Sequence, residues 1–236
     1  MNQNQMNVER LTVSGIPALI WGRRSDQVYI HVHGKMSRKE FAEDFARIAE
    51  EKGYQTLSFD LPEHGERADN HVDRCDIWNG IRDLNAIADY AFLHWQGICL
   101  YSSSVGAFFS LHAYAKRPFH RCLFQSPVVD MEHLVRKMMA EFGITEEELR
   151  EKGEVPNPID PLRWDYYQYV KANPVTVWEI PTAILYGSED WFQSEDVIRS
   201  FARAHGCKLT VAPGREHAFM SKGDGQLVAD WYRSMI

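Results

Sequence analysis

The chain has 236 residues, 44% hydrophobic and 25% charged, and its 26 Lys and Arg against 33 Asp and Glu leave a formal charge of −7. That length suits one large domain, and the composition is that of a globular rather than a disordered chain. An acidic chain without a basic cluster argues against a nucleic-acid partner. No apolar run approaches the roughly 20 residues of a membrane span, and Met1–Met6 carries no basic segment followed by an apolar stretch, so neither a membrane partner nor secretion is expected. Cys75, Cys99, Cys122 and Cys207 lie far apart and form no C-x-x-C pair, which reads as reduced thiols in a cytoplasmic protein.

Short β-like runs alternate with amphipathic stretches along the chain. Val8–Val13 and Pro17–Trp21, joined at Ser14-Gly15, predict an opening hairpin, and Gln27–His33 a third strand. Arg38–Lys52 places Phe41, Phe45, Ile48 and Ala49 on one helical stripe, with Gly53 after it as a C-cap. Tyr54–Phe59 reads as a fourth strand, followed by a polar loop and a long helix through Ile77, Ile81, Leu84, Ile87, Ala88 and Ala91. Strand Gly97–Tyr101, helix Val105–Ala115 and strand Arg121–Phe124 come next. Strand Ala183–Tyr186, helix Ser194–Ala204, strand Lys208–Val211 and helix Gly225–Ser234 complete the series. This pattern predicts an α/β fold: a mostly parallel, eight-stranded sheet with helices on both faces. Met131 to Glu179 breaks the rhythm. It reads as a mostly helical insertion in a single domain 1–236, standing as a cap over the strand ends, because about fifty residues far exceeds an ordinary αβ connection.

Ligands of such sheets bind beyond the carboxyl ends of the strands. After Gly97–Tyr101 the chain reads Ser102-Ser103-Ser104-Val105-Gly106 and turns into a helix. A serine nucleophile on a sharp strand-to-helix turn needs small residues two before and two after it. Only Ser104 has them, in Ser102 and Gly106; Ser103 would be flanked by Tyr101 and Val105, and Ser102 preceded by Leu100. The same letters also suit a serine-rich N-cap, so the partners decide. A serine nucleophile needs a histidine base oriented by a carboxylate. Beyond strand Ala183–Tyr186 the histidines are His205, at a helix end where a cation suits the dipole, and His217, in a loop after a strand. The acid is Asp190 in Gly187-Ser188-Glu189-Asp190, with Glu189 its close rival. The oxyanion donors are expected to be the N–H groups of Val105 and of Lys35 in His33-Gly34-Lys35, with Met36 as the substitute for Lys35.

On these pieces the chain resembles the α/β hydrolases over its whole length, and among them the small bacterial serine esterases, including the acyl and cinnamoyl groups. The resemblance rests on His33-Gly34, on Asp60-Leu61-Pro62-Glu63-His64-Gly65-Glu66-Arg67, on Ser102–Gly106, on Leu185–Asp190 and on Gly214–Phe219. Glu63 and Arg67 stand where the family's D-x-P-G-H-G-x-S signature has Gly and Ser, and Ser102 replaces its first elbow Gly. The resemblance implies Ser104, Asp190 and His217 as nucleophile, acid and base, no metal or other cofactor, and a small-molecule ester as substrate. Trp191 and Phe192, directly after the acid, join an aromatic-rich insertion in suggesting an apolar or aromatic acyl group. Thioesterase, amidase or peptidase activity would use the same triad. A metal-dependent amidohydrolase built on His31-x-His33 and a non-catalytic binder on the same fold are the remaining readings.

Overall fold

In a computed structural model, residues 6–70 and 72–236 are described. Residues 1–5, the bulk of the stretch read above as lacking a secretion signal, lie outside them. Strands β1 (Val8–Val13) and β2 (Ile16–Trp21) form the hairpin, with Ser14 at φ +50° and Gly15 at φ +85°. Two positive-φ residues are what a two-residue hairpin turn requires. Strand β3 (Gln27–Val32) leads to a 3₁₀ turn, Lys39–Ala42, and then helix α1 (Glu43–Glu51). The expected stripe therefore begins at Phe45. Phe41 sits in the tighter turn, which rotates it to the surface, 60% exposed under the Arg38 guanidinium.

Strand β4 (Gln55–Phe59) is followed by α2 (Ile77–His94), whose first turn is capped by the Asp76 carboxylate accepting from the Asn79 amide. Then come β5 (Gly97–Ser103), α3 (Ser104–Tyr114) and β6 (Cys122–Gln125). The insertion holds α4 (Met131–Glu141), α5 (Glu146–Lys152), a two-stranded antiparallel ribbon of β7 (Glu154–Val155) and β8 (Leu162–Arg163), and α6 (Trp164–Ala172). The ribbon, tied across the proline-rich 156–161 loop, adds strand structure to a segment read as mostly helical. Strand β9 (Thr182–Gly187), α7 (Glu195–Ala204), β10 (Lys208–Ala212) and α8 (Asp224–Met235) close the chain. Among the described residues no helix is long and apolar enough to cross a membrane.

Eight strands form one sheet in the order β1-β2-β4-β3-β5-β6-β9-β10, with β2 antiparallel to both neighbours and β3 through β10 parallel. Because side chains alternate along a strand, the buried strand residues divide between two layers. Val28, Ile30, Leu100, Phe124 and Ile184 pack with α2, α3 and α7, while Tyr29, Cys99, Tyr101, Leu123 and Leu185 pack with α1 and α8. The insertion's apolar residues, Met131, Leu134, Met138, Tyr167 and Trp178 among them, belong to the first of these layers. It is thus continuous with the main core. The chain order reverses between β3 and β5, so the loops after these two strands open a crevice at the sheet's carboxyl edge.

Candidate active site

Ser104 occupies that crevice, on the turn from β5 into α3, at φ +49°. A left-handed backbone is uncommon for a residue with a Cβ and persists only where its surroundings enforce it. Two glycines allow the crowding here. A Cβ on Gly106 would lie 2.3 Å from the His33 carbonyl oxygen, and one on Gly34 2.9 Å from the Ser104 Cβ. Ser102, in place of glycine, is fully buried with its hydroxyl 2.8 Å from that of Ser110, which donates to the Gly106 carbonyl. The extra hydroxyl is thereby bonded into the first turns of α3.

The three residues chosen from separate loops meet. The His217 Nε2 lies 2.8 Å from Ser104 Oγ, and His217 Nδ1 lies 2.7 Å from Asp190 Oδ2. The other oxygen of Asp190 accepts from the amides of Phe192 (2.7 Å) and Gln193 (3.4 Å). An ionised carboxylate can only accept, so Nδ1 carries the imidazole proton and Nε2 presents a lone pair to the serine hydroxyl. Glu189, the rival acid, instead donates its main-chain N–H to the Arg215 carbonyl. His205 is the C-cap residue of α7.

Two residues with no sequence signal hold these loops. The Ser126 hydroxyl, from a residue at φ +44°, donates to the His217 carbonyl at 2.6 Å. Gln193, fully buried, accepts from the amides of Val129 and Asp130 and donates to the carbonyls of Asp130 and Phe192. It ties the acid's loop to the entrance of the insertion. Their partners across the site, Val129, Asp130 and His217, lie 63 to 91 residues away, beyond the reach of any local motif.

Opposite the serine, the turn Gly34–Met36 follows β3. Met36 N–H, the substitute donor, is already bonded to His64 Nε2 at 3.1 Å. The amides of Lys35 and Val105 make no protein hydrogen bond among the described residues. His33 bonds through both nitrogens, Nδ1–H to the Gly34 carbonyl and Nε2 from the Leu61 amide, and burial pushes its pKa down to about 4. His31 points elsewhere, stacked on Tyr101 beside Phe45. No group of three or more potential metal ligands occurs among the described residues. Glu63 takes the left-handed conformation (φ +60°) for which the family uses Gly, and its carboxylate accepts from the Cys75 amide; Arg67 bonds Asp83 and the Asp60 carbonyl.

A cavity of about 300 Å³ opens onto Ser104, Val105 and Lys35. Part of its lining is apolar, formed by Val128, Phe192 and the insertion's Met131, Leu134, Val135 and Met138, and part carries charged side chains. Three ion pairs join the core to the insertion there: Arg74–Glu154 (2.7 Å), Asp76–Arg163 (3.0 Å) and Lys35–Asp160. Cys75 also lines the cavity, its thiol pushed up to about 12 by burial and so held protonated. Of the two aromatics after the acid, Phe192 faces the cavity with its ring 4.4 Å from that of His217. Trp191 is not among the cavity-lining residues. Its ring lies under the Lys137 ammonium and its carbonyl accepts from the same group, which turns it to the flank of α4.

The strand order, the elbow and the three loops define the fold of the α/β hydrolases. No protein-family model and no curated protein matches the chain by sequence. In three dimensions it is similar to Est1E from Butyrivibrio proteoclasticus with ferulic acid bound (TM-score 0.77, 18% identity, 96% of each chain covered). It is similar also to a putative hydrolase from Agrobacterium vitis S4 (0.76, 19%, covering 99% of this chain and 100% of that one) and to alpha/beta hydrolase domain-containing protein 10 from mouse (0.73, 17%, 97% of each).

Proposed function

We propose that the protein is a serine hydrolase that cleaves carboxylic esters through an acyl-enzyme intermediate. The observation that carries this reading is the continuous chain Ser104–His217–Asp190 at 2.8 and 2.7 Å, placed at the crevice where the sheet's strand order reverses. Ser104 Oγ bonds to the ester carbonyl carbon as its proton passes to His217 Nε2. The tetrahedral oxyanion accepts from Val105 and Lys35 N–H. Collapse breaks the bond to the alcohol oxygen, which takes the proton from His217, and a water then repeats both steps to release the acid. Asp190 fixes the imidazole tautomer and stabilises its cation.

The apolar wall of the cavity and the Phe192 ring suit an apolar or aromatic acyl group, and the ferulic acid held by the Est1E neighbour, an aromatic acid, agrees with that choice. The cations that line the cavity, Lys35, Arg74 and Arg163, each face an anion, which leaves none to hold a charged acyl chain. Labelling by a fluorophosphonate probe, abolished in Ser104→Ala, tests the reaction; folded, catalytically active protein that resists the probe would refute it. A panel of nitrophenyl esters of increasing acyl length, with aryl esters, thioesters and anilides beside them, tests the substrate class. Higher kcat/KM on the thioesters or anilides would transfer the assignment to those groups.

A further inference from the structure

The turn that carries Lys35 is held from both sides by imidazoles. On one side His33 Nδ1–H donates to the Gly34 carbonyl at 2.7 Å; on the other, His64 Nε2 accepts the Met36 N–H at 3.1 Å. The Met36 backbone is left-handed, at φ +60°, and its side chain is 91% exposed. That side chain has little with which to hold the strained turn, so the hydrogen bond from its main-chain N–H to His64 is its anchor. His64 is itself buried and fixed, its Nδ1–H donating to the Pro62 carbonyl at 2.8 Å and its ring 5.2 Å from that of His33. With Nδ1 committed as the donor, Nε2 can accept only while the ring is neutral.

We propose that His64 is a positioning residue of the oxyanion hole: by accepting the Met36 N–H it holds the Gly34–Met36 turn against Ser104 and keeps the Lys35 N–H aimed at the developing oxyanion. This rests on the serine-hydrolase reading and adds to it a residue that touches neither substrate nor triad. Protonation would put a second N–H against that of Met36 and release the turn. The charged and titratable groups around the ring are Lys35 on the turn it holds, Glu63 and Asp60 on its own loop, and His33. Burial, with Lys35 adding to it, keeps the His64 pKa below the usual imidazole range, against the opposing pull of the Pro62 bond and the two carboxylates. The neutral, accepting form therefore prevails at neutral pH, and activity falls as pH drops through the His64 pKa.

Two polar substitutions separate positioning from simple loss of packing. In His64→Gln the side-chain carbonyl can reach the place of Nε2 and accept, but it cannot be protonated. His64→Asn keeps a donor near Nδ1 and has nothing at Nε2. With 4-nitrophenyl butyrate, His64→Asn is expected to lose kcat by about 10- to 100-fold with little change in KM, because the lost contact forms in the transition state. His64→Gln should stay within about threefold of the wild-type kcat. The acid limb of log kcat should be steeper by one proton in the wild type than in His64→Gln, whose side chain cannot be protonated. The proposal is overturned if His64→Asn keeps wild-type kcat, if His64→Gln loses as much as His64→Asn, or if the acid limb is the same in wild type and His64→Gln. Should His64→Asn fail to melt cooperatively, the pH comparison decides alone. Ser104→Ala is assayed alongside: turnover retained there removes the hydrolase reading itself, whereas a dead Ser104→Ala beside an unaffected His64→Asn removes only the role of His64.

Discussion

The loops that carry the triad and the insertion that walls the cavity are fastened in different ways. Around Ser104 and His217 the ties end on main-chain carbonyls. Val128 N–H bonds the Ser104 carbonyl, Glu189 N–H bonds the Arg215 carbonyl, and Ser126 bonds the His217 carbonyl. Left-handed residues at Ser104, Ser126 and Phe219 set the turns. On its cavity side the insertion meets the core through three ion pairs, two of them between partly exposed side chains, 50% and 42% for Arg74 and Glu154 and 38% and 47% for Lys35 and Asp160, and the third, Arg163–Asp76, more buried at 20% and 11%. Hydrogen bonds that end on main-chain groups fix the backbone of these loops to fractions of an ångström, which chemistry needs. Half-solvated ion pairs are weak and yield readily, which suits a wall that must let substrate pass.

The largest effect should come from the rigid region. Ser104→Ala removes the proposed nucleophile and leaves its surroundings, so ester turnover should fall by about 10⁴-fold or more with the melting temperature within a few degrees of wild type. Gly106→Ala attacks the same region through its backbone. The new Cβ would stand 2.3 Å from the His33 carbonyl oxygen, and neither β3 nor α3 can move aside cheaply. A loss of about 2–4 kcal/mol in urea unfolding is expected, with kcat reduced as the elbow shifts; unchanged stability would mean that the elbow is looser than its main-chain ties imply.

Acid should weaken the core. Burial pushes His33 down to about 4 and His31 to about 3, whereas in the unfolded chain both titrate near the ordinary 6.5. Between those values the unfolded state binds protons that the folded state refuses, so stability rises with pH across this window and falls as pH drops through it. Urea unfolding should lose about 6 kcal/mol between pH 7 and pH 4, about half from each imidazole. Because His31 Nδ1 has no hydrogen-bond partner among aromatic neighbours, His31→Phe should flatten part of that slope. An equally steep curve in the variant would move the acid sensitivity to other groups.

Much of this was legible in the sequence because the deciding features are local or periodic. Alternation and turn residues announce the eight strands, and size restrictions at Ser102 and Gly106 single out Ser104. Asp190 and His217 follow from being in loops after successive strands. What escaped was set by distant partners. Phe41 fits the helical stripe by spacing but falls in a 3₁₀ turn, and the β7–β8 ribbon forms only because the 156–161 loop folds back. Trp191 and Phe192 are adjacent and alike, yet one faces the cavity and the other lies under Lys137 on α4. Ser126, Gln193 and His64 act through main-chain groups that belong to other loops, and no pattern of side chains along the chain encodes such contacts.

The smallest effects should come from the ion pairs, and they bear most directly on the contrast between the two regions. Glu154→Gln and Asp160→Asn each remove one partner from an ion pair that lines the cavity. Because these pairs are solvent-exposed, each change should alter unfolding free energy by less than about 1 kcal/mol. If the pairs hold the insertion closed over bound substrate, loosening them should act on KM rather than kcat, by about two- to fivefold, since the triad's own ties are untouched. Salt provides the same perturbation without mutation: a screening length of about 3 Å at 1 M NaCl weakens exposed pairs far more than buried main-chain bonds. Wild-type KM should therefore rise with NaCl while kcat holds, and the double variant should lose most of that salt response. A KM indifferent to both salt and substitution would make the insertion a fixed wall, as rigid as the loops it covers. Selectivity would then lie in the shape of Met131, Leu134, Val135 and Met138 alone.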